Sequence, residues 1–275
     1  GWYQAPADLS FFNGSIADVA WYSRPLVAAD VNALYTYGTH GTSLLSSITR
    51  PSGKTFAAMS YDSDSTTLTQ LTDENGGVWK LGAPTVTGSS DTYRGAVLGG
   101  APTEYFRLGE AAGAAKALDE VRGGDGTYSG VTLGAAGPFS DHKAASFNGT
   151  DSYVEVPDAL LHAGNDRSVE LWFKTSSQGV LIGDQSVPVA GATAASGTWT
   201  PVLYIGTDNK LHGHFWSGTA TGGTAFSSTR TVTDNTWHHA ALTVTGTTQV
   251  MYLDGVQQAT VTGAPNDQSN SHLYL

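Results

Sequence analysis

The sequence predicts an all-β protein: an antiparallel β-sandwich accompanied by a small β-hairpin connector region. Three observations lead there. The 275 residues include 34 glycines and only 13% charged residues, a mix that suits short strands and frequent turns better than helices. Short alternating segments, punctuated by Gly, Asp and Asn, recur from about residue 103 to the end, at the spacing of an antiparallel sandwich. The one clear helix signal is brief, covering 28–37. There Val31, Leu34 and Tyr35 share a side and Gly38 is placed to cap the end.

Taken in order, the elements support that class. Residues 14–23 read as a strand with Val19 and Trp21 on one face and Ile16 and Tyr22 on the other. Such a strand suits a place buried on both sides. Residues 39–102 are rich in Ser, Thr and Gly, with short strand-like pieces and a turn signal at Asp73–Gly77. "AASFNGTDSYVEVP" (144–157) sets two short strands around Asn148-Gly149. "SVELWFK" (168–174) alternates, with Val169, Leu171 and Phe173 on one face. "TWHHAALTVTG" (236–246) aligns His238, Ala240, Leu242 and Val244. In "QVMYLDGVQQATV" (249–261), Asp254-Gly255 is a type I′ hairpin signal.

The charge excludes some partners. A net charge of -11 with no cluster of Lys and Arg predicts no nucleic-acid partner, since phosphate binding depends on clustered cations. Cysteine is absent, so neither disulfides nor thiolate metal sites contribute. No apolar run approaches the roughly 20 residues that span a bilayer, which predicts no membrane insertion. The N-terminus lacks a basic-then-apolar leader pattern, so an export signal is expected outside this segment.

Several of these segments together carry a resemblance. "AASFNGTDSYVEVP", "SVELWFKT", "TWHHAALTVTG" and "MYLDGV" resemble successive strands of a laminin-G-like (concanavalin A-like lectin/glucanase) jelly roll, and "EYFRLGEAAGAAKALDE" (104–120) resembles its entry segment. "FNGSIADVAWYSRPL" resembles that family's last strand, with Ala17 in place of its first Asp and Asp18 at the second. Residues 47–81, with Tyr61-Asp62, resemble one Rhs/YD repeat lacking the usual Gly-Arg. The expected organisation is therefore threefold. Residues 1–38 form a final strand and helix, 39–102 a YD-like connector, and 103–275 the preceding strands of a jelly roll. Joining Leu275 to Gly1 continues the family pattern, so the chain reads as one period of a large exported bacterial repeat protein. Its expected location is extracellular or on the cell surface. Its expected partners are neighbouring copies, reached through residues 1–38 by strand donation in cis or, as the seam favours, in trans.

Catalytic chemistry is not visible. Glycoside hydrolysis needs two carboxylates facing one cleft, yet Glu155 and Glu170 each stand alone on a strand, and Asp73 and Glu74 sit in a turn signal. A non-enzyme is expected. The resemblance implies a structural calcium with Asp18 and Asp151 as ligands, against which stands simple turn-capping. In "KLHGHFW" (210–216), His212, His214 and Trp216 share a face. If Asp208-Asn209 is a two-residue turn, Leu203 and Ile205 lie across from them, and Trp199 joins by parity. That face reads either as a glycan platform made by Trp199, His212, His214 and Trp216, or as core. His-x-His lacks a third ligand for zinc. Asn13 and Asn148 open glycosylation sequons but read more simply as turns. The function expected is a structural and adhesive module, with carbohydrate binding as the alternative and a hydrolase fragment behind both.

Overall fold

The computed structural model describes residues 11–39, 45–61, 68–81, 92–121, 124–139, 142–158, 164–190, 197–217, 227–266 and 270–275. In chain order its elements begin with β1 (Asn13–Tyr22), α1 (Ala28–Thr39), β2 (Ser47–Thr49), β3 (Thr55–Tyr61), β4 (Leu68–Asp73), β5 (Val78–Lys80) and α2 (Thr92–Gly99). They continue with β6 (Glu104–Phe106), β7 (Lys116–Ala117), β8 (Gly126–Ser129), β9 (Thr132–Ala136), β10 (Lys143–Asn148), β11 (Tyr153–Val156), β12 (Arg167–Thr175) and β13 (Gly179–Gln185). The last are β14 (Trp199–Ile205), β15 (Lys210–Gly213), β16 (Ser227–Thr231), β17 (His238–Thr245), β18 (Thr248–Leu253), β19 (Val256–Thr262) and β20 (His272–Tyr274). The fold class is all-β, as the sequence predicts, and two compact units share the chain: Gly1–Ala33 with Gly100–Leu275, and Leu34–Gly99.

The larger unit is a sandwich. Sheet I runs β19-β18-β17-β12-β1-β10-β9, with β6 also paired to β1, and sheet II runs β16-β15-β14-β13-β20-β11-β8-β7. The core between them takes Val169, Leu171 and Phe173 from β12, Ala240, Leu242 and Val244 from β17, and Leu203, Ile205 and Leu211 from sheet II. Burying these apolar residues stabilises the fold by about 25 cal/mol for each Å² withdrawn from water.

Strand β1 lies inside sheet I, between β10 and β12. Ile16, Val19 and Trp21 all enter the core, which corrects the expectation that Ile16 faces away from the other two. The cause is a β-bulge. Ala17 pairs with Trp172 and Ala20 with Glu170, so β1 spends one residue more than β12 over the same step. That extra residue reverses the alternation beyond it. The pairing is within one chain; Gly1, the other half of the expected seam, lies outside the described residues.

Two turns are informative. Asp254 and Gly255 both take positive φ, 50° and 74°, and close the β18–β19 hairpin as a type I′ turn. Asn148-Gly149 is the turn expected between two short strands, but those strands do not pair: β10 belongs to sheet I and β11 to sheet II, so the turn crosses between sheets. Asn148 Oδ1 accepts from the amides of Thr150, Asp151 and Ser152, an Asx arrangement that reverses the chain without pairing the strands.

The smaller unit holds an antiparallel sheet in the order β2-β3-β4-β5. Its β4–β5 turn is the one expected at Asp73–Gly77. Asp73 Oδ1 accepts from the amides of Gly77 at 2.8 Å and Asn75 at 2.9 Å. Those two bonds, Gly77's first, hold the Asp73 carboxyl below its ordinary range. Asp62, half of the expected Tyr-Asp pair, lies outside the described residues. Helix α2 carries no signal strong enough to be expected from sequence.

Candidate functional site

The bulge in β1 aims a carboxylate into the protein. Asp18 has φ 52°, left-handed backbone that Asp tolerates better than most residues, and its side chain is fully buried. Tyr105 OH donates to Asp18 Oδ1 at 2.6 Å. Arg107 Nη2 donates to His142 Nε2 at 3.0 Å, and His142 Nδ1 lies 3.2 Å from Asp18 Oδ2. With Nε2 accepting, the imidazole proton sits on Nδ1 and is donated to Asp18. The Arg107 guanidinium is itself 3.9 Å from Oδ1. Burial and the adjacent Asp18 carboxylate drive the Tyr105 phenol far above its ordinary value, so it stays a donor.

A second buried carboxylate lies nearby in the same sheet. Glu170 is opposite Ala20 on one side and Ala241 on the other, two small residues that leave room for it. His239 Nε2 is 2.5 Å from Glu170 Oε2, and Tyr22 OH donates to Oε1 at 3.4 Å. Trp172 completes the layer, its ring 5.1 Å from His239 and 5.3 Å from Phe139. Both carboxylates are thus committed to partners inside the protein and neither reaches solvent. Sequence reasoning found Asp18 but none of its partners, because Tyr105, Arg107 and His142 come from segments far along the chain.

The implied calcium ligands do not fit that ion. Calcium takes six to eight oxygens, whereas Asp18 is surrounded by a guanidinium, an imidazole and a phenol. Asp151 sits in the turn between the sheets, where its Oδ1 accepts from Asn148 Nδ2 at 2.7 Å. Asn148 is opposite Asn13 at the start of β1, five residues along the strand from Asp18, or about 16 Å. The two aspartates do not meet. Among the described residues no group of three His, Asp or Glu side chains is arranged to hold a metal.

The four residues expected to form a glycan platform are spread out. The β14–β15 connection is a three-residue loop, with Gly206 N bonded to Lys210 O and Asn209 at φ 61°. This is one residue more than the expected two, and one residue inverts the register. His212 therefore lies opposite Tyr204, with their rings stacked at 5.0 Å, while Leu203, Ile205 and Leu211 fill the core. His212 is buried and bonds Asp208 at 2.9 Å. His214 and Trp216 follow the end of β15, their rings 6.1 Å apart, and Phe215 between them enters the core against Trp21. Burial, and then the charge of His212, hold the His214 imidazole down at about 4.

Trp199 stands apart, at the other end of β14, five residues or about 17 Å from Tyr204. Irregular pairing between β13 and β14 sends both Val202 and Leu203 into the core, so parity with Leu203 fails and Trp199 faces out, 52% exposed. Its cross-strand neighbour Gln185 pairs in turn with His272. Beside His272, Tyr274 pairs with Glu155. Glu155 Oε1 lies 2.9 Å from His272 Nδ1 and accepts from Tyr274 OH at 3.4 Å. Sequence reasoning saw Glu155 as solitary and did not single out His272 or Tyr274.

Comparison with known proteins agrees with the sandwich. No curated protein and no solved structure gives a significant match. A family model, the Concanavalin A-like lectin/glucanases superfamily (Laminin_G_3), matches residues 148–275, a little under half of the chain, taking in β11 to β20. From Asn148 to Leu275, this protein is similar to the laminin-G-like members of that superfamily.

Proposed function

We propose that the chain is a non-catalytic structural and adhesive module of a large extracellular bacterial protein, its sandwich completed by β1 from its own or a neighbouring copy. The observation that supports this most directly is the place of β1. It pairs with β6, β10 and β12 and adds Ile16, Val19 and Trp21 to the core. Removing such a strand would leave two unpaired edges and an apolar slot. In the sequence, residues 34–99 come after β1 and before the other strands of the sandwich, and they form their own compact unit. The same slot is therefore able to take β1 of a neighbour with identical contacts, as in donor-strand complementation. Such a head-to-tail contact extends into a fibre unless its rotation closes a ring. The YD-like region supplies the spacer. The internal commitment of Asp18 and Glu170 supports the non-catalytic part of the reading.

The test uses two full-length populations carrying different fluorophores on α1 and on β17. They are unfolded together, refolded over a range of concentrations, and read by energy transfer and by size. Linked species that grow with concentration and transfer energy between copies support strand exchange. Monomers at every concentration, with no transfer between copies, overturn it.

A second reading, carbohydrate binding, is favoured by one observation: the half-exposed indole of Trp199 on the outer face of sheet II.

A further inference from the structure

We propose that Asn75, at the tip of the β4–β5 hairpin, is a site of spontaneous covalent modification, closing with Gly76 to a succinimide that hydrolyses to isoaspartate. This is independent of strand exchange and of carbohydrate binding.

The chain holds three Asn-Gly dipeptides, at 13–14, 75–76 and 148–149. Each has the reacting groups. The amide nitrogen of the glycine attacks Cγ of the asparagine, the new N–Cγ bond closes a five-membered ring, and the Cγ–Nδ2 bond breaks. Nδ2 leaves as ammonia, carrying the proton that the glycine nitrogen gives up. Water from the solvent then opens the ring. Addition at the main-chain carbonyl gives isoaspartate, and addition at Cγ gives aspartate. Glycine favours the closure because it has no Cβ to crowd the ring and leaves the backbone free to turn. By sequence the three sites stand equal.

The structure separates them. Closure needs a free carboxamide and an amide able to swing onto it. At Asn148, Oδ1 already accepts from the amides of Thr150, Asp151 and Ser152, and Nδ2 donates to Asp151 Oδ1 at 2.7 Å. A methyl group on Gly149 would meet Asn13 Cβ at 2.6 Å, so that glycine has little room to turn. Gly14 lies inside sheet I, paired with Phe147 on one side and Thr175 on the other. It is packed against the Lys174 carbonyl oxygen and the Phe12 ring. Reaction at either place waits for the sandwich to open.

Asn75 differs on each count. It is exposed, and its carboxamide has no hydrogen bond among the described residues. The space beside Gly76 is open to 4 Å. The Gly76 amide donates to Asp73 O at 3.1 Å, and releasing that bond opens a hairpin tip rather than a core.

The product changes the turn. Isoaspartate routes the main chain through Cβ and Cγ, adding one atom between Asp73 and Gly77, whose Asp73 N to Gly77 O bond of 2.9 Å closes the hairpin. It also sets a new carboxylate beside Asp73 and Glu74. Asp73 holds this turn through the amides of Asn75 and Gly77 and accepts from the Trp79 indole at 3.4 Å. Modification therefore loosens the start of β5 and adds one negative charge to the smaller unit.

The experiment incubates the full chain in neutral and in mildly alkaline buffer, folded or in urea, and digests samples at intervals. Peptide mass spectrometry reads the gain of one mass unit at each asparagine, and isoaspartyl methyltransferase labelling reads isoaspartate itself. In the folded protein Asn75 should convert at least about tenfold faster than Asn13 and Asn148, and faster at the higher pH, because the attacking nitrogen must lose its proton. In urea the three should convert at similar rates. Asn75→Gln, whose longer side chain does not close the five-membered ring, should lose the acidic isoform on isoelectric focusing while keeping its circular dichroism and melting temperature. Four results would overturn the assignment. They are no conversion of Asn75 in the folded chain, conversion of Asn13 or Asn148 at the same rate there, an equal preference for Asn75 in urea, and an undiminished acidic isoform in Asn75→Gln.

Discussion

The phenol of Tyr105, at the N-terminal end of the sandwich's main segment, donates a hydrogen bond 2.6 Å long to the Asp18 carboxylate in the β1 bulge. That bond joins a strand from one end of the chain to a strand 87 residues further on. With His142 and Arg107, it turns a buried charge into a satisfied one. A strand out of register would present Ala17 or Val19 to these three groups and leave them unpaired, so the network favours one seating of β1.

Replacing Asp18 by Ala should therefore be costly. Breaking a buried ion pair from one side typically destabilises by about 3–5 kcal/mol, and that range is expected in urea unfolding of the full chain. Because Asp18 is held by a phenol, an imidazole and a guanidinium, adding or chelating calcium should leave the melting temperature of the native protein unchanged. A calcium-dependent rise in melting temperature that disappears in Asp18→Asn would contradict this account.

Leu242 sits fully buried in β17, paired with Val169 on one side and Met251 on the other. Leu242→Ala should cost about 2–5 kcal/mol, the transfer of the side chain plus the cavity left behind. An exposed threonine in the same sheet, Thr260 of β19, serves as control and should change stability by under about 0.5 kcal/mol on substitution by Ser. Equal effects at the two positions would mean the strand register is wrong.

His214 predicts an acid-side loss of stability. Its folded value is about 4, against 6.5 for an ordinary imidazole, so the unfolded chain binds the proton more readily. Stability from this residue is complete above pH 6.5, falls as pH drops towards 4, and levels off below that. The shift corresponds to about 3 kcal/mol. Comparing native protein with His214→Asn at pH 7.5 and pH 4 reads the contribution of His214 together with its electrostatic coupling to His212. Parallel stability curves would exclude it.

The non-catalytic reading has its own assay. Incubation with soluble and insoluble polysaccharides should release no reducing ends above a heat-inactivated control. Sustained turnover removed by Glu155→Gln or Glu170→Gln would show instead that one of these carboxylates is catalytic.

Sequence by itself determined what is local or periodic. The alternation in "SVELWFK" and "TWHHAALTVTG" assigned the core faces of β12 and β17, since side chains on a strand change sides at every residue. Asp254-Gly255 and Asp73–Gly77 announced their turns through residues suited to positive φ or to capping amides. The all-β class followed from these and from composition. The tertiary structure alone decided everything that depends on a single inserted residue or on distant partners. One extra residue at Asp18 brought Ile16 onto the core side, one extra residue in the Thr207–Asn209 loop put His212 opposite Tyr204, and irregular pairing of β13 with β14 turned Trp199 outward. A strand's period of two makes each such insertion a reversal of face, and a single sequence does not display where they fall. The meeting of Asp18 with Tyr105 and His142, and of Glu155 with His272, spans 87 to 124 residues of chain. No local pattern encodes such contacts, because packing between strands, and not spacing along them, brings those side chains together.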